Sequence, residues 1–390
     1  MSFGLFHALE DQLPIVSKVW IGTFSEISVD PRPNRTVKLL QENGFQCAPL
    51  QERLKLDMRQ GRFQTRLKSL WFATKFHLGI KKSESCEKFL QIRYQNYSVD
   101  FESLQEHDLL VMFDLDFLGF LINQPKRCKY VMDLREIYPE QYGKSMPFRY
   151  GLRPIRKYLL KRHFQLVDAA TTVSFGLQEY YFDKFEINTN LIRSTPQYSE
   201  SKALATVERP FKIVYLGVAH PLRKLEDFIY ACTASRNSIE LHFYLVGDPG
   251  YIDKLKKASS GNPSILIHEP VLFEDIHSTL IQYDLGWCYF SPATENISKA
   301  LPNKYFDYIQ AGLGVICGPN LDMIRESSPW GFGIFSQEFS QVELVQLLNS
   351  LSAAKIEELK RAARDASEAL HFGVEGKKLL EVLETAWGKS

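Results

Sequence analysis

Residues 301–318 read LPNKYFDYIQAGLGVICG and predict a short helix, a tight turn and then a buried strand. Pro302 suits the first helical position, because its missing N–H would have no partner there. Gly312 is typical of a helix C-terminus, and Val315–Cys317 is typical of a short buried strand. The helix would pack through one apolar stripe, formed by Tyr305, Phe306 and Ile309.

The first turn of this helix carries two polar residues. Lys304 and Asp307 are three positions apart, so both lie on one face near the helix N-terminus. A helix N-terminus favours anionic groups such as a diphosphate, and a carboxylate can accept hydrogen bonds from both hydroxyls of a ribose. The turn therefore offers the chemistry to hold a sugar nucleotide. A solvated ion pair between the two side chains is the alternative.

The pattern Pro-x-Lys-x-Phe-Asp-Tyr-x-x-Ala-Gly-x-x-Val-Ile resembles the donor-site helix of the retaining glycosyltransferases of family 4. The resemblance implies an α/β protein with the GT-B fold, in which two Rossmann-like domains with parallel sheets face each other. It implies an acceptor-binding domain over residues 1–196 and a nucleotide-sugar-binding domain over residues 197–375. Residues 376–390 would form a helix that packs back on the first domain.

The resemblance also suggests which residues bind the donor. In the family an acid at the position of Asp307 binds the ribose, but Lys299 stands where a second, earlier acid is usual. Val218 stands where an arginine usually contacts the diphosphate, so Arg223 and Lys224 must supply that charge, unless they only begin a solvated helix. The donor-binding candidates are Gly217, His220, Arg223, Lys224, Val271, Ala300, Leu301, Asn303, Lys304 and Asp307, and Arg223 and Lys224 are also candidates for catalysis.

In the first half, a strand over residues 18–24, a helix over residues 35–42 and a strand over residues 45–50 predict a βαβ unit. Ligands of open α/β sheets bind at the carboxyl ends of strands, so the loop of residues 22–34 is a candidate wall for the acceptor. A plain connecting loop is equally consistent with this sequence. The acceptor-side candidates are Gly22, Ser25, Glu26 and Arg35.

Charged residues follow another predicted strand, over residues 129–132. Arg135 and Glu136 lie just after it and are candidates for catalysis, because a site is expected at this end of a sheet. The segment resembles a family motif that usually has histidine where Arg135 stands, and arginine could bind a phosphate or an acidic acceptor sugar instead. A capping pair formed by Asp133 and Glu136 is the alternative.

The second half repeats the alternation of strands and helices. Its predicted strands cover residues 211–216, 241–248, 265–268 and 284–289, and they are apolar enough for a buried parallel sheet. The turn of the first βα unit would begin at Gly217, where the absence of a side chain allows close approach of a ligand. Residues 144–162 predict one basic helix in the first half.

Charge is distributed unevenly along the 390 residues. Residues 1–196 hold 28 Lys and Arg against 22 Asp and Glu, whereas residues 197–390 hold 19 against 24. Residues 51–98 contain eleven Lys and Arg against four acids, and they predict amphipathic helices that bind an anionic membrane surface or pack on the sheet with a solvated basic face. No nucleic-acid-binding motif accompanies this charge, so a nucleic acid is not expected as a partner.

Other features bound the class of protein. The six cysteines are scattered and predict reduced thiols in a cytoplasmic protein, and no signal peptide or membrane span is expected. Asp114-x-Asp116 follows a strand of the acceptor half, so we expect no metal site and no cofactor besides the nucleotide-sugar co-substrate. The protein could still dock peripherally on the cytosolic face of a membrane.

The sequence thus predicts a glycosyltransferase that moves a sugar from a nucleoside-diphosphate sugar to a saccharide or lipid-linked acceptor. Retention of configuration, and a role in cell-surface polysaccharide or glycoconjugate synthesis, are implied by the resemblance. Two alternatives stay open at this point. One is a sugar-nucleotide epimerase with the same fold, and the other is a catalytically weak GT-B-like interaction protein.

Overall fold

The computed structural model describes residues 18–54, 62–143, 145–200 and 210–388, and these form two compact units. The first unit runs to Val173 and adds Leu177–Ile192 and the chain from Gly376 onwards. The second unit comprises Ser174–Gly176 and Arg193–Glu375. Each unit is built around its own parallel sheet.

The first half of the chain alternates short strands with helices. Its strands are β1 (Val19–Gly22), β2 (Cys47–Pro49), β3 (Gln51–Arg53), β4 (Tyr97–Val99), β5 (Leu109–Met112), β6 (Lys129–Leu134), β7 (Ala169–Thr172) and β8 (Asn190–Leu191). Its helices are α1 (Pro31–Glu42), α2 (Arg62–His77), α3 (Lys82–Arg93), α4 (Leu115–Leu121), α5 (Arg153–Arg162) and α6 (Phe175–Phe185).

The first sheet has the strand order β2-β1-β5-β6-β7-β8, and every neighbouring pair is parallel. Because the strands are parallel, the segments that follow β1, β5 and β6 meet at one edge of the sheet. β1 and β5 are fully buried, in keeping with a sheet that is covered on both faces. On one face, Leu379, Leu383 and Ala386 from the end of the chain pack with Val19 and Leu109.

The second half continues the alternation with longer strands. Its strands are β9 (Phe211–Ala219), β10 (Ile239–Gly247), β11 (Ile265–His268), β12 (Leu285–Cys288), β13 (Gly314–Cys317) and β14 (Gly333–Phe335). Its helices are α7 (Leu225–Ala234), α8 (Pro249–Ala258), α9 (Ile276–Leu280), α10 (Glu295–Ser298), α11 (Asn303–Gln310), α12 (Leu321–Ser327), α13 (Gln341–Asn349), α14 (Ala353–Ser367) and α15 (Phe372–Gly388). The strand order is β11-β10-β9-β12-β13-β14, again with parallel neighbours.

The structure corrects several predicted boundaries. α1 begins at Pro31 rather than Arg35, because prolines in a first turn lack only N–H groups that would have no partner there. The strand predicted to end at residue 216 continues to Ala219, so Gly217 lies within β9 and not in the turn. Pro302 precedes α11 as its N-cap residue instead of opening the helix.

The basic helix predicted over residues 144–162 is helical from residue 146 to Arg162 but contains a π-helical turn. A π-helical turn covers Phe148–Leu152, and α5 starts only at Arg153. Pro154 follows this turn, and the backbone N–H of Arg153 bonds to the carbonyl of Phe148, five residues earlier. β3 and β4 form an antiparallel pair that the sequence did not indicate.

Two buried ion pairs fix helices of the first unit, one between α5 and α4 and the other between α1 and β6 of the sheet. Arg156 of α5 makes two hydrogen bonds to Asp116, of 2.7 and 2.8 Å, and Tyr94 donates a third to the same carboxylate. Arg32 of α1 likewise holds Asp133 through two bonds, of 2.5 and 2.8 Å. Asp133 is therefore one half of a buried ion pair, and the prediction that it caps a turn together with Glu136 is wrong.

Candidate functional site

The chemically distinctive part of the second unit lies around α11. The apolar side of this helix is fully buried, and Tyr305 also donates a hydrogen bond of 2.7 Å to the carbonyl of Met323. The Tyr308 hydroxyl accepts a 3.1 Å bond from the backbone N–H of Leu216, which ties the helix to β9. The ring of Tyr308 lies so close to Gly286 that a Cβ there would approach it to 2.2 Å. These contacts fix the position of the first turn of α11.

The ammonium group of Lys304 is buried and makes no hydrogen bond. Its nitrogen lies 3.9 Å from the centroid of the Tyr215 ring and 5.2 Å from that of Phe290. Burial lowers the pKa of Lys304 to about 7, and the nearby Arg223 adds to this effect while Asp307 opposes it. The predicted alternative of a solvated ion pair is therefore wrong for Lys304.

Gly217 makes room for this ammonium group. A Cβ built on Gly217 would lie 2.5 Å from Nζ of Lys304, and the glycine has a φ of +142°, which other residues rarely adopt. The sequence predicted close approach at this position, and the group that approaches in the structure is the lysine.

A second cation shares the aromatic surroundings of Lys304. The guanidinium of Arg223 lies 4.4 Å from the centroid of the Phe290 ring, at the end of a 3₁₀ turn over Pro221–Arg223. Among the described residues, neither Arg223 nor Lys304 makes an ion pair within 4.0 Å. Two cations that are close together and lack a bound carboxylate form an electropositive site that suits an anion.

The remaining donor-side candidates differ in how far their side chains are exposed. Asp307 is half-buried one turn further along α11. Lys224 is exposed, with a left-handed φ of +48°, at the start of α7. The other positions are varied in exposure: Leu301 is buried, Val271 and Ala300 are half-buried, and His220 and Asn303 are exposed.

The first unit has a polar network where β1, β5 and β6 end. Asp114 accepts hydrogen bonds from the Thr23 hydroxyl, at 3.0 Å, and from the backbone N–H of Phe24, at 2.9 Å. Asp30 accepts a 2.7 Å bond from the Ser25 hydroxyl. Asp114 lies just after β5, and Asp30 lies in the segment between β1 and α1. The carboxyl ends of β1 and β5 share one edge of the sheet.

Arg135 joins these two carboxylates. Its guanidinium donates to Asp30 at 2.7 Å and lies 3.6 Å from Asp114. Burial acts to lower the pKa of Arg135, but Tyr138, Asp114 and Asp30 raise it overall, so the group stays charged. Two acids already offset this one cation, which disfavours the predicted use of Arg135 to bind a phosphate or an acidic sugar.

Glu136 lies beside Arg135 and has one oxygen, Oε2, that is buried without a hydrogen-bond partner. Burial raises the pKa of Glu136, although Arg135 and Arg156 act in the opposite direction. A buried acceptor atom without a partner suits a ligand hydroxyl. Sequence reasoning had identified Arg135, Glu136 and Ser25, but not Asp30, Thr23 or Asp114 as members of the network.

The other acceptor-side candidates are packed against neighbouring side chains or bonded to nearby residues. A Cβ on Gly22 would lie 3.0 Å from the Phe117 ring, and Arg35 is 7% exposed within α1. Glu26 is exposed and accepts a bond from the Ser28 hydroxyl. Across the described ranges, no three His, Cys, Asp or Glu side chains are grouped as metal ligands would be, and no helix has the length and apolarity that crossing a bilayer requires.

The two parallel six-stranded sheets with flanking helices define the GT-B fold of glycosyltransferases. Sucrose-phosphate synthase from Thermosynechococcus elongatus matches with a TM-score of 0.68 and 11% identity, over 96% of this chain and all of that one. A trehalose-6-phosphate structure from E. coli, bound with UDP-2-fluoro glucose, matches with a TM-score of 0.63 and 9% identity, over 94% and 98%.

The pneumococcal O-GlcNAc transferase GtfA, in complex with UDP and GlcNAc, is also similar, with a TM-score of 0.55 and 14% identity over 78% of this chain. The chain spans only 60% of GtfA and 58% of TarM, another similar structure. No protein-family model matches the chain, and no curated protein matches it in sequence. At these identities the likeness establishes the fold.

Proposed function

We propose that the protein is a glycosyltransferase that transfers a sugar from a nucleoside-diphosphate sugar to a saccharide or lipid-linked acceptor. The proposal includes membership of family 4, retention of configuration, and no requirement for a metal ion. It places the enzyme in the cytoplasm, at the inner face of a membrane, in cell-surface polysaccharide or glycoconjugate synthesis.

The observation that carries this proposal is the buried ammonium of Lys304, without a hydrogen-bond partner and close to Arg223. A buried charge without a partner is costly, so an anion that binds both groups would be strongly favoured. A diphosphate carries charge on both phosphates and could contact the two cations at once. When the glycosidic bond of the donor breaks, the same cations would stabilise the negative charge that develops on the leaving diphosphate.

The rest of the donor fits the surroundings of this pair. Asp307 lies one turn beyond Lys304 on the same face of α11, and its carboxylate would accept bonds from the ribose hydroxyls. Two similar structures contain UDP or a UDP-sugar, which makes UDP-sugars the first donors to test. Because Gly217 has no side chain, the ammonium group of Lys304 can stay close to the backbone of β9.

On the acceptor side, we assign the network around Arg135 to orientation and Glu136 to binding. Asp30 and Asp114 hold the guanidinium of Arg135 in place, and Glu136 is the next residue along the chain. Oε2 of Glu136 would accept a hydrogen bond from an acceptor hydroxyl. The three carboxylates and one arginine favour a neutral, hydroxyl-rich acceptor over an acidic one.

The experiment that tests the function is the release of free nucleoside diphosphate. The purified protein is first screened by thermal shift against UDP-, GDP- and dTDP-sugars, since a bound ligand raises stability. The stabilising donor is then incubated with and without candidate acceptors, and both nucleotide and sugar products are identified. A transferase releases nucleotide faster with acceptor, an epimerase yields a changed nucleotide sugar, and an interaction protein yields neither.

A further inference from the structure

Helix α2 is apolar on two opposite faces. Ala73 and Phe76 point inward and are 7% and 4% exposed, within the core of the first unit. The outward face carries a second apolar set that the core does not use. This outward stripe consists of Leu67, Leu70, Trp71 and Leu78, which are 52%, 65%, 59% and 69% exposed.

The members of the outward stripe lie on one side of the helix. At about 100° per residue, the four positions fall within an arc about 100° wide. Leu78 follows the end of α2 but continues its spiral, because its backbone N–H bonds to the carbonyl of Thr74 at 3.0 Å. The stripe is therefore a continuous apolar ridge and not a set of scattered exposed side chains.

Basic side chains flank this ridge. The same helical geometry places Lys68 and Lys75 on one flank and Arg66 on the other. Residues 64–83 contain five Lys and Arg and no Asp or Glu. The ammonium of Lys75 lies 5.2 Å from the centroid of the Trp71 ring, which keeps cation and aromatic ring side by side.

The apolar surface continues into the neighbouring π-helical turn. Nε2 of His77 donates a 2.7 Å hydrogen bond to the carbonyl of Tyr150, so the end of α2 contacts this turn. Tyr150 and Met146 are both exposed, and the guanidinium of Arg149 lies 5.6 Å from the Tyr150 ring centroid. Two separate segments thus present the same combination of apolar, aromatic and basic groups.

We infer that the outward stripe of α2 inserts into the interfacial region of an anionic lipid bilayer. Its apolar ridge would enter between the headgroups while the flanking cations contact the phosphates. A second copy of this chain is the less favourable occupant, because the three flanking cations would then face three others. The sequence had indicated attraction by basic charge, whereas the structure adds an apolar ridge that would keep part of the binding at high salt.

The test is co-sedimentation of the full chain with phosphatidylcholine vesicles, with and without phosphatidylglycerol. We expect binding to the anionic vesicles and little to the neutral ones. Replacing Leu70 and Trp71 together by serine should weaken it at least about tenfold. The matched control replaces Leu321 and Val342 by serine, two side chains of the second unit that are 78% and 65% exposed, and should bind like the parent.

Tryptophan fluorescence provides a second readout. The parent should show a blue shift on binding anionic vesicles that is reduced in Trp71→Phe, which keeps the apolar character and hence the binding. Absence of binding by the parent would overturn the inference, as would equal binding by the parent and the Leu70/Trp71 double variant. A parent dimer that the double variant cannot form would assign the ridge to self-association instead. Lipid binding is measured without substrates, so its failure and that of the proposed transferase activity are distinguishable.

Discussion

The ammonium nitrogen of Lys304 lies 3.9 Å from the centre of the Tyr215 ring and has no hydrogen-bond partner. The ring face stabilises the cation, but it replaces only part of the hydration that burial has removed. Burial therefore lowers the pKa of Lys304 to about 7. Without an anion at this site, the charged lysine reduces the stability of the folded protein.

This relationship predicts a specific pH dependence of stability. Burial lowers the pKa of Lys304 from 10.5 to about 7, so between these values the unfolded chain binds more protons than the folded one. The free energy of unfolding should therefore rise with pH in this window, by up to about 1.4 kcal/mol per pH unit from this group. Lys304→Met should lack that contribution. Urea unfolding of the parent and of Lys304→Met at pH 7, 8 and 9 measures this contribution. If the free energies of unfolding of the two proteins change equally with pH, the low pKa is refuted.

Gly217→Ala should disturb the same site from the opposite side. The new methyl group would lie 2.5 Å from Nζ of Lys304, so the ammonium would have to move. We expect reduced stability and weaker binding of UDP. Gly261→Ala is the control, because Gly261 also has a positive φ, of +82°, but has open space around its Cβ position. Thermal unfolding and UDP titration compare the two variants. If both lose the same amount of stability and of UDP affinity, backbone strain alone explains the effect.

Asp307→Ala should weaken donor binding without unfolding the protein. Loss of a charged acceptor for two ribose hydroxyls should cost about 1.5–3 kcal/mol of binding free energy. The measurement is calorimetric titration with the stabilising nucleotide sugar, compared with circular dichroism of the same sample. Parental affinity in this variant would remove Asp307 from the site.

The sequence predicted the alternation of strands and helices because several strands, such as Leu109–Met112 and Leu285–Cys288, are short apolar runs. It could not predict that β9 continues through Gly217 to Ala219, since that extension depends on pairing with β10 over its whole length. The burial of Lys304 was equally hidden. The rings that surround its ammonium belong to Tyr215 and Phe290, which are remote in sequence.

The acceptor-side network shows a signal that the sequence did contain. Thr23 follows β1 directly and Asp114 comes two residues after the end of β5, and parallel strands bring such positions to one edge. The same reasoning that singled out Arg135 and Glu136 after β6 would have found them. The partner of Asp30 could not be found in this way, because its bond to Arg135 joins positions 105 residues apart.

Arg156→Met should be strongly destabilising, because Arg156 is one half of a buried ion pair. It would leave the Asp116 carboxylate buried with only Tyr94 as a side-chain partner, at a cost of about 3–5 kcal/mol. Lys355→Met, which breaks an exposed pair with Glu358, should cost less than about 1 kcal/mol. Urea unfolding compares the two, and similar small losses would show that the buried pair is not a strong constraint.

The central claim, that Lys304 and Arg223 hold a diphosphate, is tested most directly by calorimetric titration with inorganic diphosphate and with UDP in metal-free buffer. Inorganic diphosphate makes the result independent of the nucleotide that the enzyme uses. The account predicts that the parent binds and that Lys304→Met binds at least about tenfold more weakly, a difference of about 1.4 kcal/mol. The control Lys257→Met, which removes an exposed charge on α8, should retain parental affinity. Equal affinity of the parent and Lys304→Met for both ligands would contradict the account.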